Sequence, residues 1–198
     1  MIRAMNTKAD HQAPLIVGIT GATGAALGVE TLRACRDLGL PAHLIITETG
    51  VRALTLETDL SLDDVKALAV ETYPNKDVGA AVASGSFKAR GMIIAPCSIK
   101  TLSGIAGSFS HNLMIRAADV CLKERRPVVL MVRETPLHKG HLNLMSRAAD
   151  LGCQIMPPMP AFYAKPKSID DMVRHTVGRA LDLFGIEHDR VERWTGET

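Results

Sequence analysis

The chain has 198 residues, 46% of them hydrophobic and 22% charged, which suits one α/β core and excludes an extensively disordered chain. The formal charge is only +2, and no dense Lys/Arg block interleaves with aromatic residues, so the footprint of a nucleic-acid binder is missing. No run of eighteen apolar residues occurs, and no membrane-spanning helix is expected.

Residues 1–13 are mostly polar, lack the apolar stretch of a secretory signal, and read as a flexible tail. Leu15 to Thr20 (LIVGIT) is a short apolar run that ends in Gly21-Ala22-Thr23-Gly24. After it, AALGVETLRACRDLG repeats apolar positions at three and four, giving strand, glycine turn, helix. Ala42 to Thr47 is a second strand, and Thr49 to Glu57 a helix that stops before Thr58-Asp59. Two parallel strands joined by a helix make a right-handed βαβ unit.

Leu62 to Val70 predicts a helix with Ser61 as its N-cap and acidic residues in the first turn; Tyr73-Pro74-Asn75-Lys76-Asp77 then breaks the pattern. Residues 74–90 read as a loop-rich connection. Met92 to Pro96 is a third buried strand, followed abruptly by the polar CSIKTLSG. Asn112 to Lys123 reads as a helix, Pro127 to Val132 as a strand, His138 to Leu151 as a helix and residues 153–156 as a fifth strand. Ser168 caps a last helix, with Asp170 and Asp171 in its first turn and Gly185 at its end. Strands alternating with helices indicate an α/β fold with an open, parallel, doubly wound sheet in three layers. Residues 14–186 are expected to form one domain, and residues 187–198 a tail that contributes to an oligomer contact or the active site.

Ligands of such sheets bind at the carboxyl ends of the strands, and three polar loops fall there. Gly21-Ala22-Thr23-Gly24 offers backbone N–H groups and a helix N-terminus to a phosphate, although the GxGxxG spacing is off. Pro96-Cys97-Ser98-Ile99-Lys100-Thr101 brings two hydroxyls and an ammonium, with Ser98 also suited to N-capping. Arg133-Glu134-Thr135-Pro136 sets a guanidinium beside a carboxylate. Each loop alone fits solvated surface; their coincidence favours a site.

The four cysteines, Cys35, Cys97, Cys121 and Cys153, show no CxxC spacing and read as reduced thiols of a cytoplasmic protein. His138 and His141 have no third ligand in view, and no metal is assigned. Trp194 is either an anchor for the tail or a lid over an apolar ligand.

Taken together, GITGATGA, LTLETD, ASGSF, PCSIKTLSG, RAADVCLKERRPVVLMVRETPLH, IMPPMPAFY and the terminal RW resemble the UbiX flavin prenyltransferase family from Ile16 to Trp194. The resemblance implies a flavodoxin-like Rossmann fold, a homo-oligomer from trimer to dodecamer, and transfer of a dimethylallyl group from dimethylallyl phosphate to reduced FMN without a metal. The prenylated FMN would serve a UbiD-type decarboxylase.

By the same resemblance, FMN would be held by Gly21, Ala22, Thr23, Thr47, Ser98, Ile99, Lys100, Thr101, Arg116 and Arg133. Dimethylallyl phosphate would meet Lys123, Arg133, Glu134, Tyr163, Arg179 and Trp194, partly across subunits. Glu134, Glu57, Thr23 and Lys123 are the implied catalytic group. Cations suit the reaction because an allylic phosphate leaves only if its growing charge is stabilised. Asp63-Asp64 and Asp170-Asp171 lack the DDxxD spacing that holds Mg²⁺ in other prenyl transfers. Thr23 and Thr47 stand where many relatives carry Ser, Glu48 where Lys is frequent, and Val78 where some carry an aromatic at the prenyl pocket. Two rival readings are a flavin-dependent cysteine decarboxylase, whose PASANT loop stands where this chain has PCSIKT, and a non-catalytic FMN carrier or accessory subunit.

Overall fold

The computed structural model describes residues 13–194 and residue 196; the expected tail at residues 1–12 lies outside the described residues. The first apolar run forms β1 (Leu15–Ile19), buried along its whole length, as befits a strand covered on both faces. Gly24, at φ +105°, turns the chain into α1 (Ala25–Asp37), a left-handed geometry that glycine adopts without steric cost. β2 (Ala42–Ile46), α2 (Glu48–Glu57), α3 (Leu62–Lys66) and β3 (Glu71–Pro74) follow. Then come β4 (Gly91–Cys97), α4 (Ile99–Ala106), α5 (Leu113–Lys123), β5 (Val128–Val132), α6 (Lys139–Asp150), β6 (Cys153–Ile155) and α7 (Ile169–Asp182).

All six strands are parallel, in the order β3-β2-β1-β4-β5-β6. Without the edge strand β3, the remaining five run second, first, third, fourth, fifth, which is the flavodoxin order. The order reverses between β1 and β4, and a ligand crevice belongs outside the carboxyl ends at that point.

Strand alternation sends Leu15, Val17 and Ile19 into one core with α1 and α7. Ile16 joins a second core with α4 and α5 on the other face. Close packing demands glycine at Gly28 of α1, where a Cβ would collide with the Ala95 carbonyl and the Ile19 side chain.

Two expectations are corrected. The helix predicted over Leu62–Val70 ends at Lys66, because the Val70 amide already donates to Ala42 O and feeds the chain into the sheet. Residues 71–74, of which Tyr73 and Pro74 are expected to open the pattern break and the loop-rich connection, form edge strand β3, pairing with β2 from His43↔Glu71 to Ile46↔Pro74. Proline at its end is tolerated because an edge strand needs no donor on its outer side.

Candidate active site

A cleft of about 800 Å³ opens at the carboxyl ends of β1 to β4 and is lined by Thr20, Thr47, Tyr73, Asn75, Ser98, Lys100, Thr101, His111 and Asn112 among others. That volume lies within the roughly 300–1,000 Å³ typical of small-molecule sites, so a mononucleotide fits.

Two strand ends are stapled together here. Buried Thr20 donates its hydroxyl proton to Pro96 O at 2.7 Å and accepts from the Ser98 amide at 2.9 Å. Ser98 caps α4, its Oγ accepting from Thr101 N at 3.4 Å and donating to Thr101 Oγ1 at 3.3 Å. The amino end of α4, with Lys100 beside it, therefore faces the cleft, where its dipole favours an anion. Thr47 caps α2 by accepting from Gly50 N at 2.9 Å. Asn75 ties the far wall, its backbone carbonyl accepting from Leu113 N at 2.8 Å and its Oδ1 from Met114 N at 2.9 Å.

The first glycine loop is arranged differently from its expected phosphate cradle. Glu57 Oε2 accepts from the amides of Gly24 and Ala25, both at 2.8 Å, so a carboxylate of the chain itself takes those two donors. Burial pushes the Glu57 carboxyl up, but the Thr23 hydroxyl, the two amides and the Arg133 guanidinium outweigh it and leave the group below its ordinary value. Glu57 is thus held at the amino end of α1 beside Thr23, within the electrostatic reach of Arg133. Gly21 lets this loop approach α2, since a Cβ there would collide with Thr49.

Arg133 follows β5, and its amide donates to Cys97 O at 3.1 Å. Neighbouring Glu134 is exposed and accepts from Thr135 N at 3.0 Å. Cys97 is fully buried, and burial, with Cys153 adding to it, pushes its thiol far up. His138 caps α6, accepting from Gly140 N at 3.0 Å, with the His141 ring 3.6 Å away.

Other expected residues lie elsewhere in the protomer. Arg116 donates to Ala83 O at 3.3 Å and pairs with Asp119 at 2.9 Å. Lys123 pairs with Glu124 at 2.5 Å at the far end of α5, about 15 Å from the end that lines the cleft, at 1.5 Å per residue. Arg179 sits in the last turn of α7, paired with Asp182 at 2.6 Å; just beyond it, Phe184 packs against Gly91 at the start of β4. One protomer therefore holds Arg133 at the carboxyl edge of the sheet and Lys123 and Arg179 toward the amino edge. Tyr163 and Trp194 meet edge to face at 5.9 Å. Val78 is exposed and does not line the cleft.

Sequence reasoning missed Thr20, Tyr73, Asn75, His111 and Asn112 as lining residues. The available signal was position: Thr20 ends a strand beside the glycine turn, and Asn75 lies within a segment read as a break.

A family profile described as Flavoprotein matches residues 3–181. The flavin prenyltransferase UbiX of Escherichia coli is 54% identical over 185 residues, covering 92% of this chain and 98% of its own length. A crystal structure described as AnUbiX in complex with FMN and dimethylallyl pyrophosphate superposes with a TM-score of 0.92 at 45% identity, covering 94% of this chain and 100% of its own. A second, described as a dodecameric FMN-dependent UbiX-like decarboxylase from Escherichia coli, gives 0.90 at 47% identity, covering 92% and 100%. With its parallel sheet, its cleft at the strand ends and this degree of identity over nearly its whole length, the chain belongs to the UbiX flavin prenyltransferase family of flavoproteins.

Proposed function

We propose that this chain is a metal-independent flavin prenyltransferase, moving the dimethylallyl group of dimethylallyl phosphate onto N5 and C6 of reduced FMN. The observation that carries the reading is the Glu57 carboxylate held on the Gly24 and Ala25 amides beside Thr23 at the strand edge that also bears the Ser98–Thr101 cap. The cysteine decarboxylase alternative is not favoured, because this edge carries PCSIKT in a chain 54% identical to a prenyltransferase.

Thr47, Ser98, Ile99, Lys100 and Thr101 would hold FMN in the cleft, with Gly21, Ala22 and Thr23 close beside it. Bound and reduced, the flavin supplies the nucleophile. Glu57, kept ionised by its donors, orients the Thr23 hydroxyl. Arg133 stabilises charge on the departing phosphate, and Lys123, Arg179 and Tyr163 do the same from neighbouring copies. Arg116 likewise reaches a neighbour's flavin. Glu134 protonates the leaving phosphate oxygen and later receives, through it, the proton lost from C6. The position of Lys123 and Arg179 away from the cleft supports a site completed by assembly, and the chain accordingly forms a homo-oligomer, from trimer to dodecamer.

Residues 14–186 form the single flavoprotein domain, the protein works in the cytoplasm, and its product passes to a UbiD-type decarboxylase. Among the described residues, no helix is long and apolar enough to cross a membrane. The test is anaerobic incubation with reduced FMN and dimethylallyl phosphate, followed by the mass and spectrum of the flavin. A gain of one prenyl unit supports transfer, whereas unchanged FMN held tightly identifies a carrier.

A further inference from the structure

Beyond the cleft, α7 carries a cluster of two arginines on one carboxylate, with two aromatic rings nearby in the chain. Asp182 Oδ2 accepts from Arg179 Nη1 at 2.6 Å and from Arg193 Nη1 at 3.1 Å, while its Oδ1 accepts from Arg193 Nη2 at 2.7 Å. Arg193 adjoins Trp194, whose ring meets Tyr163 at 5.9 Å. The Tyr163 hydroxyl lies 3.4 Å from His175 Nε2. His175 precedes Arg179 by four residues, on the same helix face.

The segment that delivers Arg193 and Trp194 is firmly anchored. His188, with its side chain fully buried, hydrogen-bonds Gly178 O at 2.8 Å and sits 3.2 Å from Asp182. Arg190, 7% exposed, pairs with Glu30 and Asp37, each at 2.5 Å. Gly178 makes room, since a Cβ there would press on Val191 and the His188 ring.

Charge separates the two arginines of this segment. Arg190 is buried with two carboxylates for one guanidinium, an arrangement suited to clamping the chain. At Asp182 the ratio is inverted, with two guanidiniums, 49% and 54% exposed, on one carboxylate. The trio keeps an excess positive charge, and both guanidiniums keep solvent-facing donors. Hydrogen bonds from Arg193 and Arg179 outweigh burial and hold the Asp182 carboxyl below its ordinary range, so it stays ionised between them. A paired guanidinium surface flanked by two exposed aromatic rings matches an anion with a short apolar tail.

We propose that Arg193 is a further phosphate-binding cation for the allylic substrate, beside Arg133, Lys123 and Arg179, and that Asp182 is the positioning residue that holds Arg193 and Arg179 side by side to receive that phosphate. The inference rests on the prenyltransferase reading and adds two residues to it. A phosphate dianion replaces the outward solvent of both guanidiniums while the carboxylate keeps them from diverging.

The test uses the full-length, flavin-loaded protein. R193Q should raise KM for dimethylallyl phosphate roughly tenfold, the weight of one charge-assisted hydrogen bond, with kcat within about twofold. R193K, which keeps the charge but not the fork, should recover part of the loss. D182N should raise KM in the same direction. Calorimetric binding of inorganic phosphate, which needs no turnover, should weaken in R193Q alongside KM. R193Q with wild-type KM and phosphate affinity, or with flavin lost or oligomer size changed, makes Arg193 a structural clamp and overturns the proposal. A wild-type protein that binds phosphate in an Arg193-dependent way but yields no prenylated flavin would refute the enzyme reading instead.

Discussion

The Thr20 hydroxyl and the Ser98 amide meet at 2.9 Å across the point where the sheet order reverses. Thr20 is 1% exposed, and its hydroxyl proton goes to Pro96 O at 2.7 Å. One side chain therefore satisfies a donor and an acceptor that the chain reversal leaves without ladder partners. It also fixes where α4 begins, and hence where Ser98, Lys100 and Thr101 point.

Replacing Thr20 by Val keeps the shape and strands both backbone groups. Leaving buried polar groups unpaired costs on the order of 1–3 kcal/mol each, so T20V should lower the free energy of unfolding by that order, read as a lower denaturation midpoint. FMN affinity should fall with it, because the α4 end loses its staple. Urea unfolding of the apoprotein and fluorescence titration with FMN check the two separately; unchanged FMN affinity would show that the staple serves stability alone.

Much of the architecture is legible in the sequence because buried parallel strands are near-continuous apolar runs. Leu15–Ile19, Gly91–Cys97 and Val128–Val132 are buried throughout. Glu71–Pro74 escapes notice for the opposite reason: an edge strand needs only a half-buried face, and Glu, Thr, Tyr and Pro give no apolar alternation. At the site, Ser98, Thr101 and Thr47 are legible as polar residues at strand ends. The pairing of Glu57 with Gly24 and Ala25 is not, because it joins positions 33 and 32 residues apart and follows from where α2 docks. Likewise, nothing local tells that Lys123 and Arg179 sit at the other edge from Arg133; that follows from helices running antiparallel to the strands they succeed.

Glu57 gives a pH dependence with a defined sign. Burial raises its carboxyl, yet the Thr23 hydroxyl, the Ala25 and Gly24 amides and Arg133 together bring it below the ordinary 4.5. A folded-state value below the unfolded one means stability that is fully present above pH 4.5 and is lost as pH falls through the folded value. The melting temperatures of wild type and E57Q should therefore differ by a constant amount at neutral pH and converge below pH 4.5. A gap that widens on acidification contradicts the assignment.

The thiols should be silent in the native protein. Burial pushes Cys35 and Cys121 up to about 12 and Cys153 up to about 11, and Cys97 further still. At pH 8 a thiol titrating near 11 is thiolate to about one part in a thousand, too little for ready attack on a disulfide reagent. Ellman's reagent should thus find no fast-reacting cysteine in the native chain and four in denaturant. One rapid native equivalent assigned to Cys97 would contradict its burial and give the loop after β4 a reactive nucleophile.

Glu134 is the sharpest separation of chemistry from binding. It is exposed, and the hydrogen bond it accepts comes from the amide of the next residue at 3.0 Å; it supports neither α4 nor the glycine loop. Arg133 differs, since the charge of its guanidinium helps hold the Glu57 carboxyl below its ordinary value. E134Q should therefore leave melting temperature and FMN affinity unchanged while slowing turnover about 10²- to 10⁴-fold, the usual span for loss of a general acid–base group. R133A should weaken FMN binding and turnover together. If E134Q releases the flavin, the carboxylate is part of the cofactor cradle and the proton must be carried by another group.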